Sequence, residues 1–224
     1  MSVWEKKLPD ISLCALDLET SGFSKEDSEI IEIAIWRKDP GKNWACVLDT
    51  LIQPEFPIHN SWIHGITDKD VQKSPRFPEL VPYIMALLSE SMLVAHNVYF
   101  DVPFLVASLE KYGYPVKRPP HTCSIYLRKM AGFSVPDGTR HSLEWAAEQH
   151  QIDLKDAHQA KNDAFVVTQL INIYIRTLLQ QSQQKTWGEL AQGYSYQFLE
   201  SWQVPFWNSQ QFPIPSVLPS LSPR

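Results

Sequence analysis

The chain has 224 residues, 44% of them hydrophobic, 20% charged and 12% aromatic, enough apolar mass for one sizeable core and too much for global disorder. Lys+Arg total 20 against 25 Asp+Glu, so the net charge is −5 and no polybasic field exists to hold a long duplex by counterion release. Three dispersed cysteines, Cys14, Cys46 and Cys123, form no C-x-x-C pair, which argues against a disulfide scaffold, a zinc knuckle or a redox motif. The first residues lack the apolar core of a signal peptide, and no stretch approaches the ~18 apolar residues of a membrane span. These features predict a reducing cytoplasmic setting with no membrane association.

In chain order, residues 11–18 form a short apolar run ending in acidic residues, the pattern of a buried strand reaching a site at its tip. Residues 30–36 alternate Ile31, Ile33 and Ile35 against Glu32, Ala34 and Trp36, a second strand. The turn Asp39-Pro40-Gly41-Lys42 leads into a third strand over 44–52, giving an antiparallel meander. Residues 54–66 read as a loop rich in aromatics and His. Helical spacing of Phe77, Leu80, Val81, Ile84, Leu87 and Leu88 predicts a helix over 75–89, followed by a short strand at 91–95.

A helix over 101–112 is closed by Gly113, the residue type expected at a C-cap. Shorter helices at 124–130 and 142–149 flank the turn Pro136-Asp137-Gly138. A long helix over 158–179 carries apolar Phe165, Val166, Leu170, Ile173, Leu178 and Leu179. Strands followed by alternating helices and short strands predict an α/β domain with a mixed sheet.

The informative residues are acidic ones where a core pattern wants something else. Asp17 and Glu19, in Leu16-Asp17-Leu18-Glu19-Thr20-Ser21-Gly22, lie two apart, so a strand's period puts both carboxylates on one face. Two like charges beside a core are costly unless a cation compensates them. Alone, D-x-E is also the pattern of a solvated strand end. Asp101, in His96-Asn97-Val98-Tyr99-Phe100-Asp101, follows a short strand, and an ordinary N-cap Asp is the plain alternative there. Asp163 and His158 fall in His158-Gln159-Ala160-Lys161-Asn162-Asp163-Ala164 at the start of the last helix. His158 alone reads equally as a capping or surface histidine, whereas a carboxylate against an apolar helix needs a partner.

Four carboxylates at strand ends and helix starts suit two Mg²⁺ or Mn²⁺ ions, since hard cations take oxygen ligands and no Cys/His cluster suits zinc. Two such ions about 4 Å apart stabilise the attacking and leaving oxygens of an in-line phosphoryl displacement. A histidine titrating near neutral pH is a fitting general base for the attacking water. The constellation points to phosphodiester hydrolysis.

The three segments around Asp17-Leu18-Glu19-Thr20, His96 to Asp101 and His158 to Ala164 together resemble, in order, the exonuclease motifs of the DEDDh (DnaQ-like) 3′→5′ exonuclease family, which includes proofreading subunits of bacterial DNA polymerase III. Ile63-His64-Gly65-Ile66-Thr67 is similar to the family's H-G-I segment, residues 122–129 to its T-x-x-x-A-R-K segment and His141-Ser142-Leu143 to its N/H-S-L segment. The resemblance covers residues 10–178. It implies an RNase H-like fold with a five-stranded mixed sheet flanked by helices. It also implies Asp17, Glu19, Asp101 and Asp163 as metal ligands, His158 as general base, and Thr20 and His64 as contacts to the terminal nucleotide. The expected activity is a two-metal-ion 3′→5′ exonuclease releasing nucleoside 5′-monophosphates, with single-stranded DNA the favoured substrate. An exoribonuclease for small or structured RNA is the alternative within that chemistry. A non-catalytic adaptor binding a polymerase or a nucleic-acid end is the alternative outside it.

Composition divides the chain into an exonuclease domain over 1–179 and an extension over 180–224. The extension has nine Gln and five Pro but only four charged residues, Lys185, Glu189, Glu200 and Arg224. Gln180-Gln181-Ser182-Gln183-Gln184 reads as a polar linker. The aromatics beyond it, Trp187 and Trp202 among them, serve either as a cap packed on the domain or as a docking segment for a partner such as a polymerase subunit. Nothing in the sequence decides between a monomer and a homodimer.

Overall fold

The computed structural model of the protein describes residues 5–89, 91–114, 119–136, 139, 141–182 and 185–192. A short 3-10 turn at Leu8–Asp10 leads into β1 (Ser12–Thr20), which pairs antiparallel with β2 (Ile30–Lys38), itself antiparallel with β3 (Ala45–Leu51). Two single-turn helices, α1 (Ser61–His64) and α2 (Asp68–Val71), precede α3 (Phe77–Leu88). Strand β4 (Ser91–Ala95) lies parallel to β1 on its other side and is followed by α4 (Val98–Lys111). Strand β5 (His121–Cys123), parallel to β4, runs straight into α5 (Ser124–Met130). The helices α6 (Leu143–Gln149), α7 (Ala160–Gln181) and α8 (Trp187–Gln192) complete the chain as described. The sheet order is β3-β2-β1-β4-β5, so the mixed five-stranded sheet with flanking helices is as expected.

The sheet is covered on both faces. Cys14, Leu16, Ile33, Ile35 and Leu93 pack under α3 and α4, while Leu13, Ala15, Met92 and Val94 pack under α5, α6, α7 and α8. This double cover changes the reading of β2. Its alternation predicted one face for Glu32, Ala34 and Trp36 and another for the isoleucines, yet every residue from Ile30 to Ile35 is buried, because α7 closes the second face. Ala34, Ala160 and Ala164 pack together there, their small side chains letting helix and strand approach closely.

Several boundaries differ from those expected, each for a local reason. The fourth helix starts at Val98 rather than 101, because Asn97 takes the cap position in a left-handed conformation (φ 59°), which Asn tolerates better than most residues. The segment 54–66 holds α1, and Thr67 and Asp70 then form a capping box that starts α2. The long helix begins at Ala160, leaving His158 outside it, and runs to Gln181, so Gln180 and Gln181 are helical rather than linker. Phe165, expected on the core side, is 42% exposed and lies against Trp36 with ring centroids 4.8 Å apart.

The folded unit also extends past residue 179. Trp187 donates its backbone N–H to Lys6, Leu8 donates to the Lys185 carbonyl, and Trp187 and Leu190 are both buried in the core beneath α7. The aromatics from Tyr194 onward, and Asp137 and Gly138 of the expected turn, lie outside the described residues. Among the described residues Cys14, Cys46 and Cys123 are free thiols, and no helix is long and apolar enough to cross a membrane.

Candidate active site

Strand β1 presents Leu13, Ala15, Asp17 and Glu19 on the face toward α7, so the row that is core at one end becomes acidic at the other. The register of β1 with β2 shifts between Glu19 and Thr20, which ends regular pairing where the two carboxylates stand. The parallel pairing of β1 with β4 brings the start of α4 beside the same strand end. Asp101, in the first turn of α4 rather than at its cap, is 3% exposed and accepts a hydrogen bond from the Leu18 backbone N–H. Asp163 stands in the first turn of α7, which crosses β1 and β2.

The electrostatics show that these groups form one cluster. Burial pushes the Asp17 carboxyl well above the ordinary carboxylate range, and the nearby charges of Asp101, Asp163, Glu19 and Glu32 push it further. Burial raises Asp101 to about 8, offset in part by backbone hydrogen bonds. Asp163 is raised to about 6, again by burial first, with the His158 backbone hydrogen bond and charge pulling the other way. Asp17, Asp101 and Asp163 make no ion pair with Lys or Arg among the described residues. Such a concentration of partly desolvated like charge is costly without cations.

His158 precedes α7 in a left-handed conformation (φ 64°), unusual for a residue other than Gly. Its backbone N–H donates to Asp163 Oδ2 at 3.2 Å, and its side chain is exposed. One ligand atom from each of Glu19, His158 and Asp163 falls within 4.8 Å of the others. Asp163 Oδ1 is buried with no hydrogen-bond partner. An orphaned buried carboxylate oxygen beside other oxygen donors fits a hard divalent cation, and the set Asp17, Glu19, Asp101 and Asp163 could hold one or two.

The two expected substrate contacts are placed differently from the acids. Thr20 ends β1, is buried, and donates its hydroxyl to the Gly22 carbonyl at 2.6 Å. Gly22 sits close against Ser28, whose Oγ a Cβ at that position would meet at 2.4 Å and displace. His64, 5% exposed at the end of α1, accepts the Ile66 N–H on Nδ1, which holds the α1–α2 corner. That corner is tied to the β1–β2 loop by His59 N–H donating to Ser21 O at 3.1 Å. Loop 54–66 is further anchored by Glu29, which accepts from the Glu55 and Phe56 N–H groups and pairs with Lys111 at 2.7 Å.

Two acidic residues escaped the sequence reading. Glu32 is 1% exposed beneath α7, opposite Glu19 in the β1–β2 register, and contributes to the field at Asp17 and Asp163. An acid set among isoleucines was the available signal, masked by its fit to a solvent-facing strand row. Glu144, in the first turn of α6, feels the charges of His158 and His96. Burial acts to raise its pKa, but hydrogen bonds from its backbone and from Ser142, with those charges, hold it below the ordinary value. No local pattern marks Glu144.

Comparison with known proteins places this arrangement. The RNase_T exonuclease family model matches residues 14–171. The PolC-type DNA polymerase III of Streptococcus sanguinis is 28% identical over 175 residues, covering 77% of this chain and 12% of that protein. The PolC-type enzyme of Clostridium perfringens is 28% identical over 174 residues, with 75% and 12% covered. The chain thus spans about an eighth of the length of the curated relatives it matches. Among solved structures, E. coli exonuclease I in complex with a dT13 oligonucleotide superposes with TM-score 0.65 at 15% identity, over 77% of this chain and 43% of that one. Exonuclease X in complex with 5′ overhanging duplex DNA gives 0.57 at 20% identity, over 80% and 98%. With the motif set, the sheet order and the family match in agreement, the chain belongs to the RNase_T exonuclease family and is of its DnaQ-like type.

Proposed function

We propose that this protein is a metal-dependent 3′→5′ exonuclease that removes nucleoside 5′-monophosphates from the 3′ end of nucleic acid, with single-stranded DNA the favoured substrate. The observation that carries the reading is the cluster itself: Asp17, Glu19, Asp101 and Asp163 share one electrostatic field, with His158 beside two of them. Divalent cations held by these carboxylates would supply Lewis-acid stabilisation of an in-line phosphodiester displacement. Asp163 would offer the Oδ1 that has no protein partner, Asp17 and Asp101 would ligate beside it, and Glu19 would hold its share from the strand tip. His158, exposed on a loop tied to Asp163, would take the proton of an attacking water at a ring nitrogen.

Substrate would meet this centre among exposed aromatics of the β1–β2 loop, α1 and the first turn of α4. Phe23 follows Thr20 by three residues and is 70% exposed, Trp62 precedes His64 by two and is 79% exposed, and Tyr99 precedes Asp101 by two and is 54% exposed. Rings of this kind stack on unpaired bases irrespective of sequence, which suits single-stranded ends and needs no basic field. Thr20 and His64 would line the terminal-nucleotide pocket from below. The oligonucleotide complexes of the structural neighbours support the substrate class, and the PolC-type relatives support action beside a DNA polymerase.

The test is end-labelled single-stranded DNA and RNA with Mg²⁺ or Mn²⁺, wild type against Asp163→Ala. The expected result is a ladder shortening from the 3′ end of DNA, absent in the variant. Cleavage of RNA alone would move the assignment to an exoribonuclease, and no metal-dependent cleavage of either would overturn the enzyme reading.

A further inference from the structure

Beyond the four carboxylates and His158, the structure assigns Glu32 a positioning role: from near the start of β2 it holds the first turn of α7, and with it Asp163 and His158, in register with Asp17 and Glu19. The inference rests on the nuclease reading given above. Glu32 is a carboxylate in a strand of isoleucines, 1% exposed, on a face otherwise filled by Ala34, Ala160 and Ala164. Its Oε2 accepts the backbone N–H of Ala160, the first residue of α7, at 3.1 Å.

A helix start leaves N–H groups without intrahelical acceptors, usually met by a side chain at the N-cap. The N-cap of α7 is Gln159, and it makes no such bond. Glu32 supplies the acceptor from a residue 128 positions away in sequence, so the cap is tertiary rather than local. The positive end of a 22-residue helix also favours a negative group there.

The register gives this bond its consequence. Glu32 stands directly opposite Glu19 across β1 and β2. One side chain therefore links the strand pair bearing Glu19 to the helix turn bearing Asp163, three residues after Ala160, and to the loop bearing His158, two residues before it. A buried carboxylate here also adds like charge to a crowded site, as its effect on Asp17 and Asp163 shows. An apolar residue would avoid that cost, so the geometry points to the reach of the acceptor as what matters.

Reach and charge are separable by substitution. Glu32→Gln keeps the length and an acceptor oxygen, whereas Glu32→Asp keeps the charge and withdraws the oxygen by one methylene. The positioning role predicts that Glu32→Gln retains wild-type turnover within about threefold, while Glu32→Asp loses about 10- to 100-fold, the usual scale for groups that orient metal ligands. The same order is expected in Mn²⁺ affinity by titration calorimetry. It is also expected without metal in amide hydrogen exchange of the first turn of α7, faster in Glu32→Asp and unchanged in Glu32→Gln. Equal impairment of the two variants would overturn the role, as would Mn²⁺ affinity and exchange in Glu32→Asp equal to wild type. If the wild type cleaves neither DNA nor RNA, the nuclease reading fails, while the calorimetric and exchange comparisons still decide the place of Glu32.

Discussion

The backbone N–H of His158 donates to Asp163 Oδ2 across 3.2 Å, which folds the loop before α7 back onto the first turn of that helix. A left-handed backbone at His158 makes this return possible, and its conformational cost is of the kind met at functional loops. The general-base candidate and a metal-ligand candidate are thereby one mechanical unit, and disturbing Asp163 disturbs both.

Asp163→Ala removes a ligand oxygen and the acceptor that holds His158, so turnover should fall by about 10³-fold, a loss of several kcal/mol of transition-state stabilisation. Asp163→Asn keeps an acceptor for the His158 N–H but no anionic ligand. It should be as inactive as Asp163→Ala while keeping the loop protected in amide exchange. Activity in Asp163→Asn near wild type would remove Asp163 from the metal-ligand set.

His158→Ala leaves the carboxylates in place and should lower kcat by roughly 10²- to 10⁴-fold, the range for a general base. Mn²⁺ affinity, read by calorimetry, should stay within a few-fold of wild type. A parallel loss of metal affinity would make His158 a ligand instead.

Without divalent metal, stability should depend on pH with a definite sign. Asp101 and Asp163 have folded-state pKa values of about 8 and about 6, raised above an ordinary 3.8 by burial. Between these limits the folded chain binds more protons than the unfolded one, so stability falls as pH rises through that window. Thermal melts in a chelator should show Tm declining from about pH 5 to about pH 8. Added Mg²⁺ should flatten or reverse the slope, since cations take the place of protons on the ionised carboxylates. A chelated Tm that climbs over the same range would contradict a desolvated acidic cluster.

Trp62 is 79% exposed and contributes to none of the core clusters, so Trp62→Ala should leave Tm within about 1–2 °C of wild type. If Trp62 stacks on an unpaired base, the substitution should weaken single-stranded DNA binding by about 1–3 kcal/mol, roughly 5- to 150-fold in Kd. Binding measured with Ca²⁺ in place of the activating ion would report this, and unchanged affinity would exclude Trp62 from the substrate path.

Trp187, 1% exposed, should behave oppositely. Trp187→Ala should cost about 3–5 kcal/mol and lower Tm by about 10 °C or more, with catalytic constants at low temperature close to wild type. A chain ended at residue 179 should show at least the same loss, because Leu190 goes with it.

Much of the architecture was legible in local pattern. Ser91–Ala95 and Ser124–Met130 were bounded to the residue, since each is a short apolar or periodic run between clear breakers. His121–Cys123 was not, because three residues are too few to show a period and their strand character comes from pairing with β4. The one-turn helices α1 and α2 were hidden for the same reason of length. Trp187 and Leu190 were legible as apolar residues in a polar segment, but whether they cap the domain or face a partner depended on the surface available beneath α7.

The sequence alone determined the residue types and their order: acids at a strand tip, after a short strand and at the start of a long helix, with a histidine before the last. Those follow from side-chain periodicity and composition, which are local. Only the tertiary structure decided which carboxylates share one field, that Asp101 is a buried first-turn acid rather than a cap, and that Glu32 is enclosed beneath α7. The enclosure of Glu32 depends on α7, whose Ala160 is 128 residues away in sequence, and no local pattern encodes it.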